Sequence, residues 1–400
     1  MTRDPIFVLA VLGLCTALSE WLVRRTFCRH LGTALLVIVI TAIFANLGVV
    51  PAGGDPIPLY DGIFGVVAPL SIFLLLLAVN LRDVLRAGPA MLLLFVVGSI
   101  GTMAGVVAGM AAVGGEEAFG ELYAALGGMF AATYIGGSLN FNLLALHYGV
   151  NEQAAFYAGA VAVDSIMTTV WMVLSIVLPR WVGRRRRGRA GGADELAADA
   201  ADGAELAGEV LDGIEEDSDT LHPLDLALLL SLSAGALWVS RATVGWIAEG
   251  GGPAIPDVLV LTTLALVLAQ LPGFSRLRGA RTLGMLGVYL FLAVIGAYCD
   301  LAALSEVGRL GPILFLFASV LIAVHGTVVF GFARLFRLDP DTAAVASQAN
   351  IGGGTSALAL ARSLGRGDLV LPSILVGSLG TALGTYLGFL TVGWLGGVTP

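Results

Sequence analysis

The sequence predicts an all-α polytopic membrane protein made of two inverted repeats. Each repeat has about five transmembrane helices and one re-entrant or broken Gly-Gly helix, giving 10–12 membrane segments. Three observations carry this. Of 400 residues, 57% are hydrophobic and 12% charged, where a soluble domain carries about 25% charge. Apolar segments come six and six around a polar loop. An Ile-Gly-Gly triplet recurs at 135–137 and 351–353, 216 positions apart, in matching segments.

The segments run over 5–23, 31–49, 59–79, 88–113, 121–147 and 153–180, then 223–240, 256–272, 282–300, 307–333, 341–361 and 370–396. About 20 apolar residues cross a bilayer as a helix, and strand-period alternation is absent, which disfavours a barrel. The first segment is followed by Arg24 and Arg25 with no small-residue cleavage site, so it reads as a retained helix rather than a signal peptide. Residues 1–180 form the first membrane repeat and 223–400 the second. Between them, 181–222 is a cytoplasmic linker, basic and then acidic, expected to be partly disordered. Phe73–Asn80 is echoed by Phe291–Asp300, and Gly88-Pro89 by Gly311-Pro312, which keeps the two halves in register. Asn80 and Asp300 end matching helices and read as boundary residues.

The net charge of −8 arises in the linker, where eleven acids lie between Asp194 and Asp219. Elsewhere 21 arginines face 18 acids, and lysine is absent. This composition points to a GC-rich prokaryote and thus to a multi-pass protein of the plasma (inner) membrane. The Arg184–Arg187 run reads as a topology anchor on anionic lipid rather than a nucleic-acid site. Cys15, Cys28 and Cys299 form no ligand pattern, so neither a structural metal nor a disulfide framework is expected.

Arginine also tests the topology, because it concentrates on the cytoplasmic side. Twelve full crossings divide the arginines 12 to 9, with no bias. If segments 121–147 and 341–361 are hairpins and both termini are extracytoplasmic, only Arg3, Arg241 and Arg309 lie outside, a split of 18 to 3. Five crossings per half then invert the second half relative to the first, and the hairpin tips meet near the midplane. A broken helix that crosses fully is the alternative.

The expected substrate site is the pair of glycine turns: Gly136, Gly137, Ser138 and Asn140 with Asn350, Gly352, Gly353, Gly354, Thr355 and Ser356. Irregular backbone survives at membrane depth only inside protein or beside a water-filled cavity. A half-helix starting after each turn offers free N–H groups and a positive dipole end to a carboxylate. Glycine used for helix packing is the competing reading. Asp164 falls mid-bilayer, where an acid is costly and usually marks an ion path. Ser165 and Thr168 add oxygens, Thr168 from the same helix face, making a candidate site for Na+ or H+. An Asp held neutral by interhelical hydrogen bonds is the alternative. His325 is either a proton relay or a satisfied core histidine. Gln348 precedes the second turn and is a weaker candidate for the cavity wall.

The pair "TYIGGSLNF" and "QANIGGGTSALA", on a chain of this length with an acidic mid-loop, resembles the prokaryotic membrane family called domain of unknown function 819. More distantly it is similar to the sodium–glutamate symporters and the 2-hydroxycarboxylate transporters. Those have two inverted five-helix repeats with Gly-Gly re-entrant loops, usually Gly-Gly-x-Gly. Here both sites lack the final glycine, which leaves substrate identity open. The resemblance implies a homodimer with a scaffold part and a mobile part, moving in elevator fashion, with sodium or proton coupling.

The sequence therefore predicts a cation-coupled symporter of a small organic anion, amino acid or short acidic peptide. The alternative is a cation/proton antiporter without organic substrate. An enzyme is not expected, since there is no HExxH, GxSxG or Gly-x-Gly-Asp setting. Expected partners are the bilayer, a small-molecule substrate and a second copy of the chain, with no nucleic acid and no cofactor beyond the coupling ion. A scaffold or sensor role for the linker remains the last rival.

Overall fold

The computed structural model describes residues 3–25, 32–51, 57–79, 81, 83–182, 221–252, 255–274, 277–299 and 304–396. Nearly all of the linker, with the Arg184–Arg187 run, lies outside them, as do Cys28, Asn80 and Asp300.

Thirteen main helices account for the fold among these residues. The first half contains α1 (Pro5–Arg25), α2 (Gly32–Asn46), α3 (Pro58–Leu77), α4 (Pro89–Val113), α5 (Tyr123–Gly136), α6 (Ser138–His147) and α7 (Ala154–Val182). The second contains α8 (Pro223–Glu249), α9 (Asp257–Ala269), α10 (Ala280–Tyr298), α11 (Leu304–Leu335), α12 (Pro340–Ser363) and α13 (Val370–Trp394). Eight are long and apolar enough to cross a membrane, and α2 and α9 are shorter apolar helices. The protein is an integral membrane protein on this composition.

Local chemistry sets the helix ends. Proline opens α3, α4, α8 and α12, where its missing N–H costs nothing. Asp4 accepts from the N–H groups of Ile6 and Phe7, and Asp339 from that of Thr342, each capping a first turn. Gly114 ends α4 in the left-handed conformation at φ 62°.

Helices approach closely through glycine. A β-carbon at Gly105 of α4 would fall 2.6 Å from the Leu321 carbonyl oxygen of α11, and one at Gly109 would fall 2.9 Å from the Phe317 carbonyl oxygen. The partner number falls as the glycine number rises, so α4 and α11 run antiparallel. The same descent links Gly284 and Gly287 of α10 to Leu75 and Ser71 of α3, and there too the helices are antiparallel. Small residues in membrane helices let backbones meet, and dispersion then replaces the hydrophobic drive. Two bundles result. One holds α1–α3 with α8–α10, and the other holds α4–α7 with α11–α13. The cross-half pairs are reciprocal: α2 packs on α10 and α3 on α9, while α5 packs on α13 and α7 on α12.

Candidate functional site

Each Ile-Gly-Gly triplet breaks its helix at the second glycine. Gly137 sits at φ 86°, ψ 172° and Gly353 at φ 75°, ψ 178°. This region of the backbone map is essentially closed to residues with a side chain. The arms around the breaks also match. At about 1.5 Å per residue, α5 and α6 measure about 21 and 15 Å, and the arms 340–352 and 354–363 of α12 about 20 and 15 Å. No arm alone spans a core about 30 Å thick.

The arms fold back on themselves. A β-carbon at Gly128 of α5 would lie 3.1 Å from Leu144 of α6, whereas a straight helix would set those residues about 24 Å apart. The rings of Phe130 and Phe141 pack edge-on at 5.7 Å across the same fold. At the second break, Arg366 joins the feet of the two arms. It donates to Asp339 at 2.7 Å, the cap of α12, to Asp341 at 3.3 Å in its first turn, and to Asp368 at 2.6 Å beyond its end. Burial alone would raise the Asp339 carboxyl, but the hydrogen bonds from Arg366 and Thr342 outweigh it and hold the group below its usual value. The same carboxylates push Arg366 further up.

Both breaks rest on one stretch of α13. Gly136 meets the Gly380 carbonyl, and Gly377 meets Gly354 so closely that a β-carbon at Gly377 would clash with the Gly354 Cα. Thr385 donates to Asn140 Oδ1 at 2.6 Å, and Asn140 Nδ2 donates to the Thr381 carbonyl at 3.3 Å. Gly136 leaves the space that Asn140 fills, and Gly352 leaves the equivalent space for Ser356. Ser356 in turn donates to the Gly353 carbonyl and accepts from Gln348 Nε2, both at 3.0 Å. Asn140 and Asn350 are fully buried, whereas Ser138 and Thr355 are exposed. A polar ligand at the tips therefore meets Ser138, Thr355 and backbone N–H groups before it meets the asparagines.

Helix α4 braces both breaks. Thr102 donates to the Tyr134 carbonyl at 3.2 Å, and Asn350 Nδ2 donates to Ser99 at 3.0 Å. His325, fully buried, holds Thr102 at 2.9 Å, the Gly98 carbonyl at 3.0 Å and Ser347 at 2.8 Å. Trp171 donates to the same Ser347. Both ring nitrogens of His325 are thus engaged, an arrangement compatible with a satisfied core histidine and with a relay.

Asp164 is nine-tenths buried on the face of α7 that also buries Met167 and Trp171. Its hydrogen bond comes from Thr133 of α5, at 3.4 Å. Ser165 and Thr168 are only half-buried, and no hydrogen bond joins either hydroxyl to Asp164 among the described residues. Thr133 immediately precedes the Tyr-Ile-Gly-Gly run, and that adjacency was the available signal for it. Three buried polar atoms near the breaks have no partner among the described residues: Tyr134 Oη, Gln348 Oε1 and Asn350 Oδ1. Tyr134 and Asn350 occupy equivalent places in the two triplet segments.

The family model described as "Protein of unknown function (DUF819)" matches residues 7–397. The chain belongs to the DUF819 family. It is also 26% identical over 404 residues, covering 98% of both chains, to the uncharacterized membrane protein YjcL of Bacillus subtilis (strain 168). The sequence resemblance to domain of unknown function 819 is thus upheld across nearly the whole chain.

Proposed function

We propose that this DUF819 protein is a cation-coupled secondary transporter, a symporter of a small organic anion, amino acid or short acidic peptide. One observation carries the reading: two chain breaks of equal geometry, at matching repeat positions, share a seat on α13 near a buried carboxylate. Matching interrupted segments in two halves mark the binding site of many transporter folds. The first turns after Gly137 and Gly353 supply N–H groups and positive dipole ends for a carboxylate. Asp164 with Thr133 would take the Na+ or H+.

The inverted-repeat reading is supported by the antiparallel pairs α3/α10 and α4/α11 and by the reciprocal packing of the other helices. Re-entrant hairpins are supported by the meeting of their feet. Residues from the start of α3, the end of α6, the end of α8 and the start of α9 line one cavity, so these four ends share a side. Twelve full crossings would put the start of α3 and the end of α6 on opposite sides. In this reading the hairpin bundle, α4–α7 with α11–α13, moves against α1–α3 with α8–α10 as an elevator, within a homodimer. No catalytic step is assigned.

The test is thermal stability of the purified protein against amino acids, carboxylates and short peptides, each with sodium and with an inert replacement cation. A solute that stabilises only with sodium supports the symporter. Stabilisation by sodium or pH alone moves the assignment to the antiporter, and no response to any of them defeats both.

A further inference from the structure

A cavity beside the hairpins lies away from the glycine turns. It has a volume of about 550 Å³ and opens between the two bundles, with the end of α6 and its following turn on one wall and α3, α8 and α9 on the other. Asp61, Glu152 and Asp257 line it together with Arg241. Arg241, the one arginine of the lining among the described residues, is already committed. It donates to the Gly65 carbonyl at 2.6 Å and faces Asp257 at 4.0 Å. Gly65 lies in the π-helical turn Ile63–Val67 of α3, a local distortion of the kind often kept at functional positions. Asp61 and Glu152 form no ion pair among the described residues, so the rim is left with unbalanced negative charge.

The wall adds an independent sign of an occupant. Asn151 is 5% exposed, lines the cavity and makes no side-chain hydrogen bond among the described residues. His147 Nε2, on the same wall, is also buried and unpartnered. A buried amide oxygen left without a partner is destabilising, so something polar belongs beside it. The rest of the lining is apolar, with Phe64, Leu143 and Leu261 among it. A hard inorganic cation wants six or more oxygens converging on one point, and among the described residues no three His, Cys, Asp or Glu side chains are grouped closely enough to hold one.

We propose that this cavity binds an organic ammonium group carried on a short apolar chain. The ammonium sits between Asp61, Glu152 and Asn151, and the chain lies against Phe64 and Leu261. Because the walls come from both bundles, an occupant clamps them in the arrangement described above. The inference stands on this cavity alone and does not need the transport reading.

The experiment is calorimetric titration of the purified full chain with n-butylammonium, 1-butanol and butyrate. Saturable binding of the ammonium, clearly tighter than either neutral or anionic analogue, is expected. Asp61→Asn with Glu152→Gln should weaken it about three- to thirtyfold, the sum of two exposed charge contacts. The single variants, each at an exposed position, serve if the pair does not fold. Absence of saturable heat, equal binding of butanol, or binding unchanged in the variants overturns the proposal. Binding without any coupled uptake in proteoliposomes would leave the site standing and count only against the transporter.

Discussion

Replacing Gly353 by alanine separates backbone shape from packing at the second break. A β-carbon there meets no atom within 4 Å, so a clash contributes nothing to its cost. The whole penalty comes from forcing a side chain onto φ 75°, ψ 178°. Such a conformation costs about 1–3 kcal/mol, which is about 5- to 150-fold in the population of the folded-back arms. Gly137, at φ 86° and equally open, should behave alike. Gly235 and Gly245 in α8 are the controls, since they too have open space but ordinary helical backbone. Alanine at either should be neutral or stabilising by up to about 1 kcal/mol. Thermal unfolding in detergent reads the stability, and sodium-driven uptake in proteoliposomes reads the site. Gly353→Ala melting and transporting like the α8 controls would refute the argument that the break needs a positive φ.

Further predictions follow from the neighbouring contacts. Asp164→Asn keeps a group able to bond Thr133 but removes the charge, so it should melt at or above the parent temperature while losing cation-driven uptake; normal coupled uptake would exclude Asp164 as the coupling site. His325→Leu leaves the Gly98 carbonyl without its donor, while Ser347 keeps Trp171 and Thr102 keeps Tyr134. As a core histidine it should cost about 1–3 kcal/mol of stability and spare the pH profile of uptake; a shifted profile with unchanged melting would assign it the relay. Arg366→Ala should open the feet of the α12 arms, detected as faster hydrogen exchange over 340–363. The folded Asp339 titrates below its ordinary value of 3.8, so its contribution is fully present above that value and fades as pH falls below it. Acid titration of the Arg366→Ala difference reads this, and the effect will be modest because the Asp339 side chain is 45% exposed.

Much of this was legible because membrane segments and glycine triplets leave strong local signals. Ile135-Gly136-Gly137 and Ile351-Gly352-Gly353 located both breaks to within a residue. Their spelling did not say which glycine bends and which makes room for a side chain four positions on. The role of α13 was hidden for a different reason. Gly377, Gly380, Gly384 and Gly388 look like ordinary helix-packing glycines, and only the fold shows that Gly377 seats the broken helix of its own half while the other three seat that of the first half. At Asp164 the expectation reached along its own helix to Ser165 and Thr168, while the hydrogen bond came across from Thr133 on α5. The charged cavity escaped notice because Asp61, Glu152 and Arg241 are scattered along the chain and each, alone, resembles a residue at a helix boundary.

The shared seat on α13 has a mechanical consequence. Gly377 and Gly380 are three residues apart, about 4.5 Å along the axis, and each supports a different break. Helix α13 is thus a single bearing under two journals: a slide or roll that relieves one must load the other. Under the proposed transport reading, a ligand at the first break would change the free energy of occupying the second, and by thermodynamic reciprocity the reverse would hold in equal measure. On that reading, coupling between two ligands at these tips would need no signal relayed across the membrane, since one turn of helix links the tips.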